Sequence, residues 1–300
     1  MSASLQKGMS KKKNYLCRDV SRIGGLLGLA VIVASCAAGP YATTNRVYRR
    51  QAKALVRPLW ALPTVPDSLA TAAYQVGTTN FNLRKPNYVI IHHTAQHSTA
   101  QTLKTFTLPK TQVSAHYVIG RDGQTFHLLS DYLRAWHGGV ARWGNVTDIN
   151  SISIGIELDN DGSEPFQEAQ LISLLRVLKS LKQTYNIPAA NFIGHSDIAP
   201  TRKNDPSALF PWQRLAERGF GLWYDAAVLT DTTAAPFAQD STGQFGGIMP
   251  REALRIIGYD TQDMSAAVKA FKRHFVPGDT SAELTERDRR ILFNLYRKFL

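Results

Sequence analysis

Three residues that could do chemistry together, His195, Lys203 and Asp205, lie on one turn-rich loop within Asn191 to Trp212, NFIGHSDIAPTRKNDPSALFPW. Aspartate and lysine are almost never buried without a partner, so this loop requires a charged counterpart rather than a place in an apolar core. A zinc ion would serve. A catalytic zinc takes three protein ligands and keeps a fourth position for water. Cys17 and Cys36 both fall at the extreme N-terminus, so ligands for such an ion have to be histidine and carboxylate. The candidate histidines are His92, His93, His97, His116, His127, His137, His195 and His274. Taken singly, each is better explained as a surface or hydrogen-bonded histidine. His92 and His195 stand out because each closes a predicted strand, where open α/β sheets place their sites. Asp205 completes the set from the loop.

Bound zinc lowers the pKa of its water towards about 7 and so provides a nucleophile at neutral pH. Attack on an amide also needs a base that takes a proton and returns it to the leaving amine. Glu157 is the candidate, exposed at the end of the run SISIGIEL. Lys203 is placed to stabilise the oxyanion of a tetrahedral intermediate. On spacing alone two plainer readings stand beside these: Glu157 caps a sheet edge, and Lys203 pairs with Asp197 or Asp205 on the surface.

The elements that must position these residues are legible in the pattern. Tyr88 to His92, YVIIH, follows Pro86 as a short apolar run of the kind a buried strand shows. Ser114 to Ile119 and Gln124 to Leu129 flank Gly120-Arg121-Asp122-Gly123, a hairpin signal because Asp-Gly supplies positive φ. Ser151 to Leu158 is a third strand. From Phe166 to Tyr185, Leu171, Leu174, Leu175, Leu178 and Leu181 follow helical spacing. Asn191 to Gly194 is a last strand before the loop. Strands alternating with helices, one hairpin among them, predict an α/β fold with a mixed central β-sheet flanked by helices. Asp225 to Gly247 has a linker composition, and three amphipathic pieces follow, Arg251 to Ile257, Met264 to Phe275 and Glu283 to Phe299, predicting a small C-terminal three-helix bundle. The resulting scheme is a leader at 1–35, a tether and lead-in at 36–80, a catalytic domain at 81–224, a linker at 225–247 and a helical domain at 248–300.

A chain of 300 residues accommodates one sizeable domain and a small second one, and 44% hydrophobic with 19% charged residues is an ordinary globular balance. The N-terminus departs from it. Six basic residues precede Ile23 to Ser35, IGGLLGLAVIVAS, too short to span a bilayer comfortably but suited to a secretory signal. Val33-Ala34-Ser35-Cys36 resembles a bacterial lipobox, which implies lipidation at Cys36; the alternative is a retained anchor with an incidental cysteine. Ala37 follows where an aspartate would favour inner-membrane retention, so the resemblance implies the periplasmic face of the outer membrane. Loss of residues 1–35 would lower the net charge from +12 to +7 and leave no free thiol. That excess suits an anionic envelope polymer. Without a basic stripe interleaved with aromatics it gives no support to nucleic-acid binding.

Five segments occur in an order that resembles the zinc-dependent N-acetylmuramoyl-L-alanine amidases of the type-2 amidase family: IIHHTA at 90–95, VSAHYVIGRDG at 113–123, AWHGG at 135–139, SIGIELDN at 153–160 and GHSDIAPTRKNDPSALFPW at 194–212. The resemblance implies one zinc per chain on His92, His195 and Asp205, with Glu157 as catalytic acid and base and Lys203 as oxyanion stabiliser. It places His116, Trp136, His137, Trp143 and Asn150 in segments that line the substrate groove, with a scaffold role for the two tryptophans as the alternative. His93 stands where relatives often have Tyr or Asn and is not counted as a ligand. VKAFKRHFVPGD at 268–279 resembles, more weakly, the peptidoglycan-binding domain that follows the amidase in lipoproteins of this group. The implied protein is a monomeric lipoprotein that cuts between N-acetylmuramic acid and L-alanine in peptidoglycan or muropeptides. Two rivals are a lipoprotein that binds peptidoglycan without cutting it and a zinc endopeptidase; against the second, no HExxH motif is present.

Overall fold

A computed structural model describes residues 39–60, 85–230 and 248–300. The expected leader, Cys36, the lead-in between 61 and 84 and the linker from 231 to 247 lie outside the described residues. The chain divides into two compact units, Met1–Ala61 and Leu62–Leu300.

In the first unit the expected irregular tether contains a helix, α1 (Ala42–Val56), followed by a 3-10 turn at Arg57–Trp60. None of the residues of α1 is buried. Its Ala, Arg, Gln and Lys favour helix by propensity without an apolar stripe to announce it.

The second unit holds a five-stranded sheet of order β3-β2-β4-β1-β5, built from β1 (Tyr88–His93), β2 (Tyr117–Ile119), β3 (Thr125–His127), β4 (Ser153–Leu158) and β5 (Phe192–Gly194). β1 runs parallel to both β4 and β5, β2 runs parallel to β4, and only β3 is antiparallel. The predicted hairpin is present with shorter strands, and Gly123 adopts the positive φ of 83° that its turn needs. Both edges of the sheet, β3 and β5, are three residues long. The β3 edge is pinned by Asp131, which accepts from Tyr117 Oη (3.0 Å), Tyr185 Oη (2.9 Å) and His127 Nε2 (3.2 Å).

Alternation along the strands sorts side chains to two faces. Val89, Ile91, Ile154, Ile156, Leu158 and Phe192 pack with Leu171, Leu174, Leu178 and Leu181 of α3 (Glu168–Tyr185). A short helix that the sequence does not signal, α2 (Thr99–Thr107), precedes β2 and is capped by Ser98. The opposite face carries Ile90 and Ile193, and these share one apolar cluster with the C-terminal helices. Beyond the one-turn α4 (His195–Ile198) and α5 (Trp212–Ala216), those helices are α6 (Pro250–Ile257), α7 (Met264–Phe275) and α8 (Glu286–Lys298). The predicted stripes are the ones used: Ala267, Val268, Phe271 and Phe275 are buried, as are Ile291, Leu292 and Leu295. The three helices are thus part of the core that backs the sheet, not a bundle closed on itself. Phe271, fully buried between them and the sheet cluster, tests this: Phe271→Ala should cost about 3–5 kcal/mol. In denaturant melts, strands and C-terminal helices should unfold in a single transition with a lowered midpoint.

Candidate active site

Register puts the chemistry at one end of the sheet. His92 on β1 and Glu157 on β4 are direct neighbours across the parallel pair, and Gly194 of β5 pairs with Ile91, so His195 emerges beside His92. Side-chain alternation then aims His92 and Glu157 away from α3. The loop after α4 folds back to bring Asp205 against both histidines, with Ser196 N–H donating to the Asp205 carbonyl at 2.7 Å.

His92 Nδ1, His195 Nδ1 and Asp205 Oδ2 form a tight triangle of 2.9, 3.0 and 3.1 Å, and all three residues are buried. The protons of the two rings are fixed from outside the triangle. The Gly138 carbonyl can only accept, so His195 Nε2, 3.1 Å away, carries its ring's hydrogen. Ser153 Oγ donates to the Ile149 carbonyl at 2.7 Å and therefore accepts from His137 Nε2 at 3.2 Å. Neutral His137 then offers a bare Nδ1 to the Nε2–H of His92 at 3.1 Å. Burial first, and the neighbouring imidazoles next, hold His137 well below the ordinary histidine range and His92 down to about 4, so both rings are neutral. With its hydrogen on the outer nitrogen, each imidazole of the triangle turns a bare lone pair towards the other and towards a carboxylate oxygen.

Such a triangle repels itself unless a cation sits at its centre. Ligand atoms held at about 2.0–2.1 Å in a tetrahedron lie about 3.3 Å apart, close to the separations found. His92, His195 and Asp205 form the only three-residue group of this kind among the described residues, and the donor set of two imidazoles and one carboxylate fits a catalytic divalent ion.

Glu157 is half-buried rather than exposed as expected, because its strand is the central one of the five. Its Oε2 is shut off from solvent without a hydrogen-bond partner. Burial pushes the carboxyl up to about 8, the charge of Asp205 adds to this, and Lys203 opposes it. Lys203 itself is half-buried and makes no salt bridge among the described residues, so neither surface pairing considered for it, with Asp197 or with Asp205, is found. Asp197 is fully engaged elsewhere: it accepts from Gly194 N–H, Tyr259 Oη and His274 Nδ1.

The residues expected along the groove divide. Trp136 is half-exposed. His116 is not on a groove wall: it is wholly buried, with Nε2 donating to the Leu133 carbonyl and Nδ1 accepting from Gly155 N–H. His137 is buried behind His92 as described. Asn150 is also buried, its Oδ1 accepting from the amides of His137 and Gly138, which shapes the loop those residues sit on. Trp143 packs edge-on against Tyr259 in the cluster of the C-terminal helices, the scaffold alternative considered for it. His93 accepts from Ser207 N–H and points away from the triangle's ring nitrogens.

Sequence reasoning missed Ser153, Gly155 and Arg202. Arg202 Nη2 donates to the carbonyls of Gly138 (2.7 Å) and Val140 (2.8 Å), clamping the loop that also receives His195. A Cβ on Gly155 would lie 2.4 Å from the His137 ring. A glycine inside a β-branched strand is the available signal for so close an approach.

Fold and site together set three residues that could hold a divalent cation beside a carboxyl group of raised pKa. The comparisons agree. Residues 82–208 match the model of the family described as N-acetylmuramoyl-L-alanine amidase. The chain is 34% identical over 223 residues to N-acetylmuramoyl-L-alanine amidase AmiD of Escherichia coli K12, covering 65% of this chain and 78% of that one. It is 41% identical over 103 residues to the 1,6-anhydro-N-acetylmuramyl-L-alanine amidase AmpD of the same organism, 34% of this chain and 56% of the relative. Among solved structures, E. coli AmiD in complex with the substrate anhydro-N-acetylmuramic acid-L-Ala-D-gamma-Glu-L-Lys superposes with a TM-score of 0.63 at 29% identity, covering 75% of this chain and 95% of that chain. AmpDh3 of Pseudomonas aeruginosa in complex with anhydromuramic pentapeptide gives 0.63 at 28%, covering 77% and 99%. The chain belongs to the N-acetylmuramoyl-L-alanine amidase family.

Because the His137 ring needs the space above Gly155 to hold His92 in its tautomer, Gly155→Ala should weaken divalent-cation affinity by roughly 10–100-fold, the range for lost outer-shell support. Competition with a chromophoric chelator measures this directly.

Proposed function

We propose that this chain hydrolyses the amide between N-acetylmuramic acid and L-alanine of the peptidoglycan stem peptide, with one zinc ion held by His92, His195 and Asp205. The observation that supports it most is the triangle of bare donor atoms set beside Glu157, in a chain of this family. When bound, zinc acidifies water and polarises a carbonyl oxygen. His92 and Asp205 hold their ligand atoms towards the open end of β1, where His92 stands directly opposite Glu157 on β4. Glu157 is the proton carrier: it takes a proton from the attacking water and delivers it to the nitrogen of L-alanine as the C–N bond breaks. Its raised pKa suits both halves of that task, since a cation nearby lowers it towards neutrality in the same sense as Lys203. Lys203, without a carboxylate partner among the described residues, faces the negative charge that develops on the former carbonyl oxygen. His137, Ser153 and Gly138 keep the two imidazoles in the required tautomer throughout.

The same proposal extends to cellular context. VASC at 33–36 supports lipidation of Cys36, and with Ala37 it supports an anchor on the periplasmic face of the outer membrane. The substrate would then be the cell-wall polymer or its muropeptide fragments, met by a monomeric enzyme. A lipoprotein that only binds peptidoglycan would need no carboxylate of raised pKa beside a metal triangle, so the catalytic reading is preferred.

Digestion of muropeptides by the purified chain, followed by mass analysis, should release free peptides that begin with L-alanine; muropeptides left intact by a zinc-loaded chain would refute the activity. Glu157→Ala should retain one zinc per chain while kcat falls by roughly 10²–10⁴-fold. Cys36→Ser should move the protein from the membrane fraction to the soluble fraction, and an unchanged distribution would argue for a retained helix.

A further inference from the structure

Asp197 lies two residues beyond His195 on α4, a helix of one turn. A helix so short has no stability of its own, so the direction of the His195 side chain depends on what grips the turn from outside. The grip is on the Asp197 carboxylate, which is almost fully buried and ties together three separate segments. Its Oδ2 accepts from Gly194 N–H at 2.7 Å, the residue directly before His195, and from His274 Nδ1 at 2.8 Å. Its Oδ1 accepts from Tyr259 Oη at 2.8 Å. Tyr259 follows α6 and His274 lies on α7, both beyond residue 248. The His274 ring also stacks on Trp212, with centroids 3.9 Å apart and planes within 17°. Trp212 closes the loop that His195 opens. One imidazole from the C-terminal helices therefore touches both ends of the segment that carries His195, Lys203 and Asp205.

Stability alone does not account for this arrangement. His274 Nε2 is buried with no hydrogen-bond partner, a cost that an apolar side chain would avoid. Tyr259 is likewise almost wholly buried and spends its one hydroxyl on Asp197.

From this geometry we infer that Tyr259 and His274 are positioning residues of the active site: through Asp197 the C-terminal helices set the orientation of the His195 ligand turn. The C-terminal segment is on this view a structural half of the metal centre, whatever else it binds. The inference rests on the reading of His92, His195 and Asp205 as zinc ligands, and the experiment separates the two.

Zinc affinity of the purified chain is measured by chelator competition, alongside the visible spectrum of the cobalt-substituted protein and the thermal midpoint. His274→Leu should weaken zinc binding by roughly tenfold or more, as loss of outer-shell support does elsewhere, and should shift the cobalt bands. His274→Asn, whose side-chain amide can donate to Asp197 from nearly the same place, should recover most of the affinity and the original bands. Tyr259→Phe, which removes a single hydroxyl and keeps the ring's packing, should move both readouts in the same direction as His274→Leu and covers the case in which that variant does not fold. Unchanged zinc affinity and cobalt spectrum in Tyr259→Phe and His274→Leu, with only the thermal midpoint lowered, would assign both residues to packing and overturn the inference alone. An unmodified chain that takes up neither metal would overturn the ligand assignment and the inference with it.

Discussion

Two imidazoles and a carboxylate are held with their unprotonated atoms about 3 Å from one another, and most of the molecule can be understood as what keeps them there. Lone pairs at that distance repel, so the arrangement works against folding until a cation fills it. A site of this kind couples metal binding to stability, because the ion binds the folded chain and has no comparable site in the unfolded one. The protein prevents the easier escape, in which a ring flips its proton inwards. Each ring's outer nitrogen is bonded into a chain that ends on a carbonyl, Gly138 for His195 and Ile149 for His92 through Ser153 and His137. Carbonyls cannot donate, and that fact propagates inwards to set both tautomers.

The sheet supplies position and the loops supply chemistry. Parallel neighbours β4, β1 and β5 end at the same level, so Glu157, His92 and His195 come together without long side chains reaching across the fold. α3 packs on one face, together with Phe210, Trp212, Leu215 and Phe220, which leaves the other for the site and for the C-terminal helices that share its apolar cluster. Two cationic loop residues then divide the work on the open side. Arg202 holds the 138–140 loop in place, and Lys203, beside it in sequence, is left without a carboxylate partner among the described residues.

What could be seen in the sequence were the features that repeat or alternate. The strand at Tyr88–His92 shows as a short apolar run, the strand carrying Glu157 as a β-branched one, and the long helix and C-terminal pieces by a period of 3.6, and all are present. α1 and α2 went unseen because neither carries a sustained apolar stripe. Exposure was misjudged wherever it depended on a distant partner. Glu157 looked like a solvent-facing strand end, yet its environment is made by loops tens of residues away. His116, His137 and Trp143 sit in segments that resemble groove walls, but each ring turns inwards, against Gly155 N–H, His92 and Tyr259 respectively. Gly155 and Gly258 are the residues that make room for two of those rings, since a Cβ at either would lie within 2.4 Å of His137 or Trp143. Nothing in a window of ten residues indicates which ring a glycine is accommodating.

The short edge strands have a consequence for the behaviour of the protein in solution. A sheet edge offers unpaired amides and carbonyls to any passing strand, and long flat edges are where chains aggregate. Here both edges are three residues long, and the β3 edge is drawn towards α3 by the two tyrosines that converge on Asp131. The mostly parallel centre that assembles the site is thus enclosed by edges too short to template another molecule. An enzyme of this design can keep a rigid sheet under its chemistry and still remain dispersed at high concentration.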